Sequence, residues 1–594
     1  MRVFKNLAWF FKAYKKHYLT GLLMLLIVAL LQLVPPQIIG RTIDYITTDS
    51  LTVNILIGLI AILIIVALLM YVFRYFWRIL IFGTSNRLGM ELRQRLFKKY
   101  ANMSSAFYQR HRTGDLMAHA TNDINAVQMV AGVGILTIAD SVMSGGAVLI
   151  TMAITVDPKL TLIAMIPLPF MVILTSYYGS ILHRLFRVAQ AAFSSLNDKT
   201  QESVAGIKVT KTFGYEADDL TDFTNLSNEV VRKNLSVAKV DALFNPTITG
   251  IIGISYFLSV YFGAKMVISD TITLGQLVTF TTYLGMMVWP LLALGMFFNL
   301  LQRGNASYDR ILEILNTEDT IKTSYELEDT PRGDIMFNIN RFRFDEAETD
   351  ALHDVKFTIK EGETVGIVGQ TGSGKSTLIK LLLREFDPEN LNEVTYGDIP
   401  ISSFNVKQLR RKFGYVPQEN FLFSTTIKEN IAFADKNASM DRIIEAAEDS
   451  YVHHDITRFK EGYDTIVGQR GVSLSGGQKQ RISIARALIT NPDILILDDS
   501  LSAVDAETEK AILNNMERLR QGKTNIITAH RMSAVMDADK IIVMSQGTMN
   551  EVGTHDELMK EKGWYYNTFM AQSLLQSLEH DLEEMTDREA NDFE

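Results

Sequence analysis

The sequence predicts a two-part chain: an α-helical domain of six transmembrane spans with long cytoplasmic helical extensions, followed by an α/β domain. Three observations lead there. Six apolar stretches are each about 20 residues long, enough to cross a bilayer as helices. Apolar residues make up 47% and charged residues 21% of 594, and the two are segregated, with the long apolar runs ending near residue 315. Beyond that point short aliphatic runs alternate with helix-like segments, the mark of a soluble α/β protein.

The spans are expected near Tyr18–Gly40, Ile55–Phe82, Val133–Val156, Leu160–Gly179, Phe244–Ile268 and Gly275–Leu300. No small-residue cleavage site follows the first, and five more come after it, so it reads as a retained anchor. Lysine and arginine crowd the N-terminus (Arg2, Lys5, Lys12, Lys15, Lys16) and the connections between spans two and three and between spans four and five. By the positive-inside rule those segments face the cytoplasm. Both connections keep a helical pattern, and about 25 residues out and back would carry the chain roughly 40 Å from the bilayer. TGDLMAHATNDI (Thr113–Ile124) and QESVAGIKVTKTFGYE (Gln201–Glu216) flank the expected turns. Pro35, Pro36, Pro167, Pro169 and Pro290 are expected to bend helices, and Arg74 and Arg78 to snorkel to headgroups. Asp140, inside the third span, is either a substrate-pathway charge or a hydrated, helix-partnered carboxylate. Met286, Trp289, Met296 and Phe297 are soft and aromatic residues that could line an adaptable pocket for apolar molecules, or simply pack against helices and lipid.

Residues 1–315 therefore form the membrane domain and 316–333, polar, acidic and carrying Pro331, the linker. Residues 334–571 form the second domain and 572–594 an acidic tail. The second domain opens on ETVGIV, a strand pattern, then GQTGSGKS (Gly369–Ser376), then TLIKLLLREF, a helix pattern. That context makes the glycine-rich run a P-loop. Backbone amides of Gly372, Ser373, Gly374 and Lys375 would wrap phosphates at a helix N-terminus, Lys375 would reach the terminal phosphates, and Ser376 would ligate Mg²⁺. Gln370, Thr371 and Thr377 complete the loop. Asp498 ends the aliphatic run ILILD and is the expected second Mg²⁺ partner. ATP and Mg²⁺ are the implied cofactors. Without cysteine there is no disulfide, thiolate metal site or thiol nucleophile, and a net charge of -9 argues against general nucleic-acid binding. The pair His453 and His454 lacks a second ligand pair at metal spacing.

LSGGQ (Leu474–Gln478) followed by KQRISIARAL, Gln418 in YVPQENFLF, SAVD (Ser502–Asp505) and His530 in TAHR are found together with the P-loop. As a set they resemble the α/β P-loop ATPase domain of ABC transporters, and the six-span half resembles the exporter type. The resemblance implies that Phe344 stacks on adenine, that Gln418 reaches the metal and attacking water, and that His530 contacts the γ-phosphate. It also implies a head-to-tail pairing of two such chains. Each ATP then lies between the P-loop of one and Ser475, Gly476, Gly477 and Gln478 of the other. Two positions depart from the family pattern: Asp499 replaces the catalytic glutamate and Gln469 a glutamate of the VGERG loop. Aspartate is one methylene shorter, and a general base must come within about 2.6–3.2 Å of its proton. The combination resembles the degenerate-site subunit of heterodimeric multidrug exporters, whose partners would be a second half-transporter, the bilayer of the bacterial plasma membrane and amphipathic small molecules. A homodimeric exporter or lipid flippase is the alternative.

Overall fold

The computed structural model describes residues 2–321, 332–345, 347–468, 474–575 and 577. Two compact units emerge: Met1–Asn102 with Thr113–Thr317, and Met103–Arg112 with Glu318–Glu594. Most of the expected linker, Gln469 of the VGQRG run and most of the acidic tail lie outside the described residues.

In the first unit six helical segments are long and apolar enough to cross a membrane: Lys15–Thr47, Val53–Asn102, Thr113–Thr155, Pro158–Ala205, Glu216–Ile268 and Leu274–Asn316. Each contains one expected span. The helices at Val53–Asn102 and Glu216–Ile268 have 50 and 53 residues, about 75–80 Å at helical rise, far more than the roughly 30 Å of a hydrocarbon core. The expected prolines fall where helices restart. Pro35 and Pro36 lie in the first turn of Val34–Thr47, Pro167 and Pro169 at the start of Leu168–Ala205, and Pro290 in the first turn of Val288–Asn316. A first turn leaves its amides unpaired anyway, so proline's missing N–H costs little there. Pro246 behaves differently and sits inside Glu216–Ile268 without ending it. Two π-helical segments, His119–Asp123 and Val130–Gly134, interrupt the third helix with no proline to announce them.

Close approaches fix the helix pairs. A Cβ on Gly275 would fall 2.0 Å from the Gly40 carbonyl oxygen, so Val34–Thr47 and Leu274–Met286 meet backbone to backbone. Asp44 ties the same corner, accepting from Gly275 N at 2.8 Å and Thr273 Oγ1 at 2.8 Å. Near the other end, buried Asp123 accepts from Arg310 Nε at 3.0 Å and has His119 Nδ1 at 2.7 Å, joining the extensions of the third and sixth helices. The turn between the fourth and fifth helices is a short helix, Ile207–Phe213, ended by Gly214 at φ +63. The first turn, Met103–Arg112, belongs to the second unit. There Ser104 N donates to Asp319 Oδ1 at 3.2 Å, Ser104 Oγ lies 3.0 Å from Thr320 Oγ1, and Arg110 pairs with Asp345.

The second unit carries two sheets. An antiparallel one is built from β1 (Ile335–Phe342), β2 (Leu352–Ile359), β4 (Val394–Tyr396) and β5 (Ile399–Pro400), in the order β2-β1-β4-β5. The other contains β3 (Thr364–Gly369), β6 (Phe413–Val416), β7 (Ile494–Asp498), β8 (Thr524–Ala529), β9 (Lys540–Ser545) and β10 (Thr548–Gly553). Its order is β10-β9-β3-β8-β7-β6, parallel except where β10 turns back on β9. Strands β7 and β8 are buried along their whole length, which is why ILILD is an unbroken aliphatic run and not an alternating one. The register sets Asp498 beside Thr528 and Val368 beside Ala529. The carboxyl ends of three neighbouring strands thus open on one edge, where open α/β sheets place their ligands.

Candidate nucleotide site

At that edge the chain leaves β3 through Gly369 at φ +149, turns at Gly372 (φ +82) and Gly374 (φ +103), and enters the helix Lys375–Leu382. Left-handed φ of this kind is open to glycine at little cost. A Cβ on Gly374 would also fall 2.6 Å from Leu352 Cδ2, so the loop is glycine-rich for space as well as for torsion. Lys375 folds over its own loop, its Nζ donating to Gly369 O at 2.8 Å and Gln370 O at 3.0 Å. Burial pushes the Lys375 ammonium below the usual lysine range, while the nearby Asp499 and Asp498 pull it back up.

Asp498 is 3% exposed and sits in a net of hydroxyls. Its Oδ1 accepts from Ser376 Oγ at 3.0 Å and Thr528 Oγ1 at 2.7 Å, and its Oδ2 from Tyr415 OH at 3.4 Å. Burial, reinforced by Asp498, raises the Tyr415 phenol, so it remains a donor. Asp499 has φ +46, in the left-handed region that aspartate enters more readily than most non-glycine residues. Its N–H is held by both Thr528 O and Thr528 Oγ1 at 3.0 Å. Its Oδ2 accepts from Gln418 Nε2 at 3.2 Å and lies 4.0 Å from His530 Nε2.

These groups line one cavity of about 580 Å³, walled by Phe344, residues 371–377, Gln418, Asp498, Asp499, Thr528, His530, Gln546 and Gly547. Phe344 is braced edge-on by Phe342 and Phe386, each with its centroid 5.0 Å away. The cavity thus pairs an aromatic wall with an amide- and lysine-rich floor and hard oxygen donors. That donor set fits an oxygen-preferring divalent cation, with Ser376 Oγ and the Asp498 carboxylate 3.0 Å apart. Gly369 and Gln370 act from beneath the floor through their carbonyls.

Thr528 and Tyr415 were not singled out in the sequence. Thr528 stands two residues before His530, but only the β7–β8 register reveals that it faces Asp498.

Ser475, Gly476, Gly477 and Gln478 do not line this cavity. They start the helix Gly476–Leu488 with a capping box, Gln478 N donating to Ser475 Oγ at 3.3 Å and Ser475 N to Gln478 Oε1 at 3.1 Å. In the first unit, Asp140 Oδ1 accepts from Ser144 Oγ one turn along its own helix at 2.7 Å. The other candidate pocket residues divide: Phe297 is buried in helix packing, Trp289 and Met296 are exposed on another face, and Met286 packs partly buried beside Met287. His453 Nδ1 lies 2.7 Å from Tyr463 OH.

Comparison with known proteins bears on both units. The family profile described as "ABC transporter transmembrane region" matches residues 18–291, and that described as "ABC transporter" matches residues 352–502. The multidrug resistance-like ATP-binding protein MdlA of Escherichia coli K12 is 44% identical over 579 residues, covering 98% of both chains. The probable multidrug resistance ABC transporter ATP-binding/permease protein YheI of Bacillus subtilis 168 is 44% identical over 573 residues, covering 96% of this chain and 98% of that one. A solved bacterial Atm1-family ABC exporter with ATP bound superposes with a TM-score of 0.78 at 25% identity, covering 94% of this chain and 99% of its own.

Proposed function

The chain belongs to the ABC transporter family, as an exporter-type half-transporter and ATP-hydrolysing translocase, and from that premise we propose that it is one half of an asymmetric, heterodimeric exporter of amphipathic compounds. The observation that carries this reading is Asp499. It occupies the place of the family's catalytic base, and its short carboxylate is already engaged by the Gln418 amide at 3.2 Å. A base must reach its proton within about 2.6–3.2 Å, and a carboxylate one methylene short and tied to Gln418 is poorly placed to extend further.

In this reading ATP stacks its base on Phe344 and sets its phosphates among the amides of Gly372–Lys375, with Lys375 and His530 toward the γ-phosphate. Ser376 and Asp498 hold Mg²⁺, with Gln418 beside it; the cation neutralises phosphate charge when bound. Thr528 and Tyr415 fix the Asp498 oxygens so that the carboxylate need not reorganise. Hydrolysis at this site is slow. The amides that begin Gly476–Leu488 face no partner group in the cavity of their own chain, and they complete the active site of the second subunit. ATP-dependent closure of that sandwich shifts the spans from inward-facing to outward-facing, and hydrolysis on the partner's side resets them. The ATPase unit and N-terminus lie in the cytoplasm, and the spans lie in the plasma membrane. The multidrug names of the 44%-identical relatives support drug-like cargo.

The test is Asp499→Asn in the purified full-length assembly. At least about half of the ATPase should remain, because the second subunit's base does the work. Loss of all turnover, or a stable dimer of this chain alone with full transport-coupled ATPase, would instead support the homodimeric exporter or flippase.

A further inference from the structure

We infer that Gln572 is a positioning residue for His530, so that the C-terminal helix sets the geometry of the nucleotide site. Gln572 Oε1 accepts from Met532 N at 2.9 Å while Gln572 Nε2 donates to His530 O at 2.8 Å. One side-chain amide therefore brackets the backbone on both sides of Arg531, as a neighbouring strand would. The imidazole itself lies 4.0 Å from Asp499 Oδ2, beyond hydrogen-bond range. Its place is thus set through its backbone, and Gln572 holds that backbone.

The helix that delivers Gln572, residues 564–575, is anchored in the core. Tyr565 is fully buried and its OH lies 2.8 Å from His555 Nδ1. Glu551 accepts from Trp564 N at 2.5 Å and Tyr565 N at 3.2 Å, satisfying orphan amides at the helix start. Tyr565, Phe569 and Gln572 fall at i, i+4 and i+7, one helical face. The face that packs on the ATPase core is the one that presents the amide. This helix runs across the boundary expected at Ala571, and Gln572 lies within it.

The same loop is also held through the Arg531 side chain. Arg531 Nη1 donates to buried Glu509 at 2.9 Å and to Val504 O at 3.2 Å. With Glu509 fixing the Arg531 side chain and Gln572 the flanking peptides, the histidine has little freedom. That is the preorganisation a γ-phosphate contact requires.

The inference rests on the reading that His530 meets the γ-phosphate, and its test separates the two. The full-length chain in detergent would be compared with Gln572→Ala, Gln572→Glu, His530→Ala and the double variant. Amide exchange across residues 529–533 and equilibrium binding of ATP and ADP would be measured in each. Gln572→Ala should speed exchange at Met532 and lower the preference for ATP over ADP by about 3- to 10-fold, the worth of one or two net hydrogen bonds, with ADP affinity unchanged. Gln572→Glu keeps the acceptor for Met532 but loses the donor to His530, so it should fall between. His530→Ala/Gln572→Ala should lose no more discrimination than His530→Ala, since the two act as a unit. Unchanged exchange in Gln572→Ala, or additive losses in the double variant, would overturn the positioning role. Faster exchange in Gln572→Ala, with His530→Ala leaving ATP/ADP preference intact, would uphold the clamp and overturn the γ-phosphate reading.

Discussion

Two glycine-rich helix starts in the ATPase unit make opposite use of the same physics. The P-loop start, Gly369–Ser376, is enclosed: Lys375, Asp498, Asp499, His530 and Phe344 line one cavity around it. The start at Ser475–Gln478 is open: Ser475 and Gln478 are spent on capping each other, and the cavity around the P-loop includes neither. A helix N-terminus attracts anions wherever it is exposed, so the difference is not one of intrinsic affinity. The P-loop shares its cavity with a lysine, two carboxylates, a histidine and an aromatic ring, whereas Ser475–Gln478 lie outside that cavity; on the proposed reading, a second subunit's surface completes the site there.

Substitutions can break or sharpen that contrast. The largest effect should come from Lys375→Ala, which removes the ammonium folded over the loop and, on the proposed reading, the cation that reaches the terminal phosphates; it should lower ATP binding and turnover at this site by about 100-fold or more. Gly476→Asp probes the open cradle. A Cβ there meets only Ala503 Cβ at 3.5 Å, so the backbone tolerates it while the new charge opposes phosphate. ATPase of the assembly should fall by about 30-fold with ATP affinity of the isolated chain unchanged. Equal loss of affinity in the isolated chain would show that both cradles serve one site. Thr528→Val deletes the hydroxyl that donates to Asp498 at 2.7 Å and accepts from Asp499 N at 3.0 Å. It should reduce Mg²⁺-dependent ATP affinity by about 10-fold and leave the open cradle untouched. Phe344→Ala should be mildest, weakening ATP by about 3- to 5-fold, measured against a triphosphate lacking the base, whose affinity should not change.

Much of this organisation was legible in the chain. Six apolar runs, ETVGIV before the GQTGSGKS loop and ILIL before Asp498 each carry their own local reason, and each appears in the structure as span, strand or loop. The unforeseen features are of another kind. The π-helical segments at His119–Asp123 and Val130–Gly134 arise where the third helix packs on neighbours, and a Cβ on Gly304 would fall 2.2 Å from Val130 Cγ2. The soft residues of the sixth span read as one set by composition, yet Phe297 faces the packing while Trp289 and Met296 face outward.

The sequence by itself determined the six spans, the strand–loop–helix that makes the P-loop and the identity of Asp499, because each depends on hydropathy, torsion or side-chain length within a short window. Only the tertiary structure decided that Thr528 holds both the Asp498 carboxylate and the Asp499 backbone N–H, and that Gln572 grips the backbone of His530. Those contacts join residues 30 and 42 positions apart, and such pairings are set by strand register and helix packing, which no local window contains.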